Sequence, residues 1–259
     1  MRASSAKATV RSADLDLPVV PLRLDSFDVI AEIKNRSPSE GALENGPASR
    51  EERALSYADG GAAAISVLTE PTQFGGHLDH LKDVVAAVSD NRIPVLRKDF
   101  LIDPVQILEA RSAGASGVLL ITTMLSDDQL NDMLNCAYEH ALFVLLESFD
   151  EQDLRRSVAL LDDARHGDQA ASNKLLLGVN TRDLRTLHVD PERLQTLGGQ
   201  LPQGAACVAE SGLQDGQDAV AAAGWGYRLA LVGTALMRAS EPGQLIREMV
   251  QAGRNRSAA

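Results

Sequence analysis

Gly114-Ala115-Ser116-Gly117-Val118-Leu119-Leu120-Ile121-Thr122 reads as the exit from a helix followed by a single strand. A glycine just past a helix can take the left-handed conformation that turns the chain back. Gly117–Ile121 is then a continuous apolar run, the pattern of a strand covered on both faces. The stretch Gly61-Ala62-Ala63-Ala64-Ile65-Ser66-Val67-Leu68-Thr69 repeats this order 53 residues earlier, a spacing that fits two strand–helix units. Ala222-Ala223-Gly224-Trp225-Gly226 again puts glycine where a helix should end. A bias toward small residues can also produce such echoes, so the pattern has to recur along the chain to carry weight.

It does recur. Strands are expected at Val29–Ile33, Ala63–Leu68, Pro94–Leu96, Gly117–Ile121, Phe143–Leu146, Leu175–Val179, Ala206–Ala209 and Leu229–Val232. Helices are expected between them at Ser49–Asp59, Leu78–Val88, Pro104–Ala113, Ser126–Glu139, Asp150–Leu161, Pro191–Leu197, Asp215–Ala223 and Pro242–Ala252. Ser49 and Ser126 are candidate N-caps, and Pro104, Pro191 and Pro242 sit where a missing backbone N–H costs little. Eight strand–helix units in order predict a single (βα)8 TIM barrel of α/β class, residues 1–259. Residues 1–27 are expected to be a short N-terminal extension, 253–259 a flexible tail, and Arg165–Lys174 a floppy insertion on the face away from any site.

The composition agrees. Hydrophobic residues make up 44% and aromatics 3%, so Val, Ile, Leu and Ala must fill the interior, as layered barrel packing requires. The net charge of −11 argues against a general nucleic-acid or anionic-membrane surface, so an anionic ligand needs a local basic pocket. Cys136 and Cys207 form no metal-type pair, and no apolar run approaches the roughly 18–20 residues of a membrane span. The expectation is a reduced, cytoplasmic protein with no nucleic-acid or membrane partner.

In a parallel barrel, residues at and just after the strand C-termini share one cavity. Here they are Glu32 and Lys34, Ser66 and Thr69, Lys98, Thr122, Glu147, Asn180 and Arg182, Glu210 and Ser211, then Gly233 and Thr234. So many charges at one mouth cost several kcal/mol in desolvation unless they pair or bind substrate. Lys98 and Glu147 fit a general acid facing a general base, with the lysine pKa lowered by desolvation; they would also fit a structural ion pair. Glu32 and Lys34, two apart on one strand, share a face as an active pair or a buried bridge.

Glu210-Ser211-Gly212 and Val232-Gly233-Thr234 read together as a phosphate cradle at the seventh and eighth units. Asn180 can bond a substrate hydroxyl, and Arg182 either orders its loop or supports Glu210. Phe74, Phe100, Leu184 and Leu187 could wall an aromatic ring or simply pack. Ser37-Pro38-Ser39-Glu40-Gly41 could fold over the mouth as a lid. His77 and His80 lack a third ligand and read as an exposed helix start, so no metal is expected.

Val29-Ile30-Ala31-Glu32-Ile33-Lys34 with Ser37-Pro38-Ser39, Ser66-Val67-Leu68-Thr69-Glu70, Leu96-Arg97-Lys98-Asp99-Phe100, Gly178-Val179-Asn180-Thr181-Arg182-Asp183-Leu184 and Ala209-Glu210-Ser211-Gly212 together resemble the indole-3-glycerol phosphate synthase family. The match runs from about Val29 to Met237. It implies a carbon–carbon lyase of tryptophan biosynthesis. Such an enzyme closes the indole ring of 1-(2-carboxyphenylamino)-1-deoxyribulose 5-phosphate, releasing carbon dioxide and water without metal or organic cofactor. By this resemblance Lys98 is the acid at the ribulose carbonyl, and Lys34 holds the substrate carboxylate and serves the dehydration. Glu147 is the general base and Glu32 a second acid/base group. Asn180 and Glu210 orient substrate, and Ser37, Arg182, Ser211, Gly212, Gly233 and Thr234 belong to its binding site. The implied partner is a small phosphorylated substrate, with a monomer expected rather than an obligate oligomer.

Three features depart from the family's pattern. Only 28 residues precede Val29, Glu40 stands where members often carry lysine, and Ser148-Phe149 follow Glu147. Glu40 is expected to weaken long-range attraction of the phosphate. A related phosphosugar isomerase and a barrel that binds without turnover are the competing readings. Neither requires Lys34, Lys98 and Glu147 together.

Overall fold

The structure is a computed structural model that describes residues 15–37, 41–42, 48–183 and 188–257. Eight parallel strands close into a barrel: β1 (Asp28–Ile33), β2 (Ala64–Leu68), β3 (Val95–Lys98), β4 (Gly117–Ile121), β5 (Phe143–Ser148), β6 (Leu175–Asn180), β7 (Cys207–Glu210) and β8 (Leu229–Val232). Each pairs with the next, and β8 pairs with β1. Around them lie α1 (Arg50–Asp59), α2 (Leu78–Ala87), α3 (Pro104–Ser112), α4 (Asp127–Glu139), α5 (Glu151–Ala159), α6 (Ala164–Ala171), α7 (Arg193–Gly198), α8 (Gly216–Gly224), α9 (Thr234–Arg238) and α10 (Pro242–Ser257).

The continuous apolar runs serve two cores. Ile30, Leu96, Leu119, Leu145, Leu176 and Leu231 pack inside the barrel, while Val29, Ala31, Val118, Leu120, Val144 and Val179 face the helices. Four strands extend past their apolar runs to include Lys98, Ser148, Asn180 and Glu210. The charged residues are therefore held by the sheet ladder itself, more rigidly than loop residues would be.

Turns from helix to strand explain the glycine echo. Gly61, Gly114 and Gly226 have φ of 83°, 89° and 98°, the left-handed region. Arg92, Ala141 and Asn173 occupy the same kind of turn after α2, α4 and α6, with φ of 51°, 60° and 59°. The repeat is conformational, and glycine marks only part of it. The helix starts behave as read: Ser49 and Ser126 each form a capping box, with Glu52 and Gln129.

The N-terminal extension, from residue 15 on, lies across the N-terminal end of the barrel, and two other expectations need correction. Val20 N–H donates to Ser116 Oγ at 3.0 Å, Arg111 donates to the Leu17 carbonyl, and Leu22 and Leu24 pack on the inner core. The last helix does not stop at Ala252 but runs to Ser257, because Gly253 lets it lie against Phe27 where any Cβ would strike the ring. Arg165–Lys174 is not a floppy insertion but mostly α6. Its polar composition hides a buried His166, which meets Asn131 Oδ1 at 2.9 Å and Tyr138 Oη at 3.3 Å. Among the described residues, no helix is long and apolar enough to cross a membrane.

Candidate active site

At the C-terminal end of the strands lies a cavity of about 520 Å³. It is lined by Glu32, Lys34, Phe74, Lys98, Asn180, Arg182, Glu210, Ser211, Gly212, Gly233 and Thr234. Every one of these was expected at the site from the sequence. Glu147 is fully buried below the cavity, reached through Lys98. Thr69 and Thr122, expected at the mouth, turn outward instead. Thr69 meets Asp99, and Thr122 Oγ1 meets Ser157 Oγ at 2.8 Å, because alternation along the strand sends their side chains toward the helices.

Lys98 Nζ lies 2.9 Å from Glu147 Oε2 and 3.4 Å from Glu210 Oε2. Burial opposes the ammonium, but the charges of Glu147, Glu210 and Glu32 outweigh it and hold the group above the ordinary lysine range. The expectation of a lysine lowered toward neutrality is thus corrected: Lys98 is a firmly charged donor. Burial, then the neighbouring Glu147, pushes the Glu210 carboxyl well above the usual carboxylate range, against the pull of Lys98. Among the described residues, Glu147 Oε1 and Glu210 Oε1 are buried without a hydrogen-bond partner. The trio therefore sets a charged donor against two buried carboxyls, of which Glu210 is the one inclined to hold a proton.

Glu32 Oε1 pairs with Lys34 Nζ at 2.8 Å. Burial would raise the Glu32 pKa, but Lys34 and Lys98 overcome it and hold the carboxyl below its ordinary value. Two glycines make room for these carboxylates. A Cβ at Gly178 would land on Glu210 Oε1, and one at Gly233 on Glu32 Oε1. Gly233 thus has a steric reason as well as the expected role at a phosphate.

Ser211 and Gly212, both on the cavity wall, have positive φ values of 65° and 84°, so the loop after β7 makes a left-handed turn beside the cavity. Thr181 Oγ1, buried and without a partner, lies beside this loop. Asn180 Oδ1 accepts the Arg182 backbone N–H at 2.9 Å, and Arg182 bridges antiparallel to Val189, closing the neck of its loop. The rings of Phe74 and Phe100 stand 6.4 Å apart, tilted by 53°, at one side of the mouth. Phe100 itself packs against the inner core rather than lining the cavity. Ser37 lies in a two-residue strand paired with Gly41–Ala42. Glu40, Leu184 and Leu187 lie outside the described residues.

Sequence reasoning missed Arg238, Gln214, Leu231 and Ala235 on the cavity wall. Arg238 ends α9, a five-residue helix too short to show periodicity. His77 caps α2 through Nδ1, as its place at an exposed helix start suggested. Among the described residues, no group of three or more His, Cys, Asp or Glu is placed to hold a metal.

Residues 19–249 match the family described as indole-3-glycerol phosphate synthase. The chain is 43% identical to the indole-3-glycerol phosphate synthase of Parafrankia sp. over 234 residues, covering 90% of this chain and 81% of the relative. It is 42% identical to that of Nocardioides sp. over 240 residues, covering 92% and 86%. Among solved structures it is similar to 3-hexulose-6-phosphate synthase from Salmonella typhimurium, with a TM-score of 0.63 at 16% identity over 89% of this chain and 100% of that one, a likeness of fold alone. With the motifs, the closed barrel and these matches in agreement, the chain belongs to the indole-3-glycerol phosphate synthase family and is a carbon–carbon lyase.

Proposed function

We propose that this barrel closes the indole ring of 1-(2-carboxyphenylamino)-1-deoxyribulose 5-phosphate, with Lys98 as general acid and Glu147 as general base. The observation that carries the reading is one charged ammonium, Lys98, held between two buried carboxylates at a cavity whose wall carries the left-handed Ser211-Gly212 turn. The phosphate sits at Ser211, Gly212, Gly233 and Thr234. Lys34 meets the substrate carboxylate, and Asn180 and Arg182 hold the sugar chain. Local positive charge offsets the −11 of the whole protein for a substrate with two anionic groups.

In the first step the ring carbon bearing the carboxylate forms a bond to the ribulose carbonyl carbon. The carbonyl oxygen takes a proton from Lys98 and becomes a hydroxyl. The carboxylate then leaves as carbon dioxide, and its bonding pair returns to the ring. Finally the hydroxyl departs as water on receiving a proton from Lys34 or Lys98. The carbon next to the ring nitrogen gives up its proton to Glu147, whose Oε1 is open to take it. Glu32 holds Lys34 in place through their ion pair, and Glu210 returns a proton to Lys98.

The test is to mix the purified protein with this substrate in metal-free buffer and follow indole fluorescence. A rise that falls by about 10²–10⁴-fold in Lys98→Met and Glu147→Gln supports the acid/base pair. Tight binding of substrate with no rise would overturn it in favour of a barrel that binds without turnover.

A further inference from the structure

Two loops flank the aromatic side of the mouth, and each is tied by a carboxylate that touches no part of the acid/base cluster described above. Glu70, immediately after β2, is buried and accepts from Thr72 N–H at 2.9 Å, Gln73 N–H at 2.6 Å and Phe74 N–H at 3.2 Å, and from the Thr72 hydroxyl. Burial alone would raise its pKa, but these bonds hold it below the ordinary value, so the group is a carboxylate. A charged acceptor of four donors is among the strongest ways to fix a short loop. Its last ligand is the backbone of Phe74.

Asp99, immediately after Lys98, does the same for the next loop. Its Oδ1 accepts Phe100 N–H at 2.8 Å, and its Oδ2 accepts the Thr69 hydroxyl at 2.6 Å and Arg97 Nη2 at 3.1 Å. Arg97 also donates through Nε to Thr69 Oγ1 at 3.1 Å and through Nη1 to the Gln106 carbonyl at 2.8 Å. Thr69 and Glu70 are chain neighbours, so the two anchors join into one outward-facing network under both loops. It ends, on each side, at the backbone of one of the two paired rings.

We propose that Glu70 and Asp99 are positioning residues for substrate selection: Glu70 holds Phe74, whose ring lines the cavity and receives the aryl half of the substrate, and Asp99 holds Phe100, which backs that ring. This rests on the reaction proposed above. A purely local loop anchor would not end on both members of a ring pair at the cavity mouth. The network contributes to binding of the ring and leaves the phosphate cradle, on β7 and β8, untouched.

The experiment compares wild type, Glu70→Ala, Glu70→Gln, Phe74→Ala and Glu70→Ala/Phe74→Ala for KM and kcat, with inhibition by inorganic phosphate and a melting curve for each. Glu70→Ala should raise KM about tenfold with kcat within about threefold, the signature of lost uniform binding. Phosphate inhibition should stay within about twofold, since that site lies on other loops. Glu70→Gln keeps one of the two acceptor oxygens, and so at most two of the four bonds, and should restore only part of the loss. In the Phe74→Ala background the Glu70 substitution should add nothing, because its effect passes through that ring. Where Glu70→Ala does not fold, Thr72→Val removes one of the four bonds from an exposed loop position and should raise KM about threefold. An unchanged KM, a parallel loss of phosphate inhibition, or multiplying effects in the double variant would overturn the inference. Wild-type turnover in the same assay separates the two levels: its absence sinks the proposed reaction, while turnover without a KM shift sinks only the role of Glu70.

Discussion

Asp28 and Glu147 are both buried carboxylates on barrel strands, one at each end, and their surroundings differ. At the N-terminal end, Asp28 accepts the Asp25 N–H at 2.6 Å and pairs with Arg254, which also reaches Asp25 at 2.8 Å. Both of its oxygens are engaged. At the C-terminal end, Glu147 gives one oxygen to Lys98 and leaves the other without a partner, and Glu210 does the same. A buried acceptor left open costs about 1–3 kcal/mol, so the catalytic end carries a cost that the opposite end avoids. Charge at one end is spent on holding the barrel shut, and at the other it is kept available for a ligand.

That contrast predicts crossed outcomes. Glu147→Gln should lower turnover about 10³-fold while costing at most about 1 kcal/mol in stability, since Lys98 keeps Glu210 and the amide still offers an acceptor oxygen. Asp28→Asn should leave kcat within about twofold and cost about 2 kcal/mol, roughly 4–8 °C in Tm, because Arg254 keeps only the exposed Asp25 and the Asp25 N–H loses a charged acceptor. Paired melting and turnover assays check both. Equal losses of stability and activity in either variant would break the comparison.

A second test probes the room made for the carboxylates. In Gly178→Ala the new Cβ falls on Glu210 Oε1, so Glu210 must swing away from Lys98 or the strand must shift. The expected result is a fall in kcat of about 30-fold, equivalent to roughly 2 kcal/mol, with a stability loss of about 1–3 kcal/mol from overpacking. Replacing Glu210 by the shorter Asp in the same background should recover part of the activity. No recovery would mean that the strand, rather than the side chain, has moved.

The two shifted carboxyls at the catalytic end have opposite signs, which sharpens the comparison with pH. The Glu210 pKa is raised in the folded protein, so its contribution to stability is present below the ordinary carboxylate range and is lost as pH rises through the raised value. The Glu32 pKa is lowered, so its contribution is present above that range and is lost as pH falls through the lowered value. Melting curves of Glu210→Gln should therefore gain on wild type as pH rises above the ordinary carboxylate range. Those of Glu32→Gln should show their largest deficit there and recover in acid. Parallel curves for the two variants would rule out the assigned environments.

Most of the catalytic end was legible because chemistry and register coincide. Lys98, Glu147 and Glu210 interrupt apolar runs, and an apolar run that stops at a charge can be read without any contact map. The direction of the Lys98 shift was not legible, since it depends on how closely Glu147 and then Glu210, 49 and 112 residues away, approach the ammonium. The same limit hid Glu70 and Asp99. Each sits one residue from a position with an evident role, and its partners, backbone N–H groups together with Thr72, Thr69 and Arg97 side chains, converge only in the folded loops. At the opposite end, Leu22 and Leu24 lie in a stretch without periodicity, and only the closed barrel gives them a surface to cover. His166 escaped for the converse reason, since its neighbours are polar and its burial comes from α4.

The helix-to-strand turns supply the smallest effect and a check on what the repeat means. If the left-handed turn is the conserved element of each unit and glycine only its cheapest occupant, then Ala141, at φ 60°, is held against a penalty of roughly 1–2 kcal/mol that Gly61 and Gly114 do not bear. Ala141→Gly relieves that strain but frees the unfolded chain, which takes back about 0.4–1 kcal/mol. The net gain should be about 0.5–1 kcal/mol, or 1–4 °C in Tm, with kcat and KM unchanged because the turn lies at the end of the barrel away from the cavity. Asn173→Gly should gain less, since asparagine tolerates this conformation better than alanine does. A loss of stability in Ala141→Gly would mean that the Ala141 methyl group packs in a way that outweighs its backbone strain, and the turn would then be fixed by its side chain rather than by its conformation.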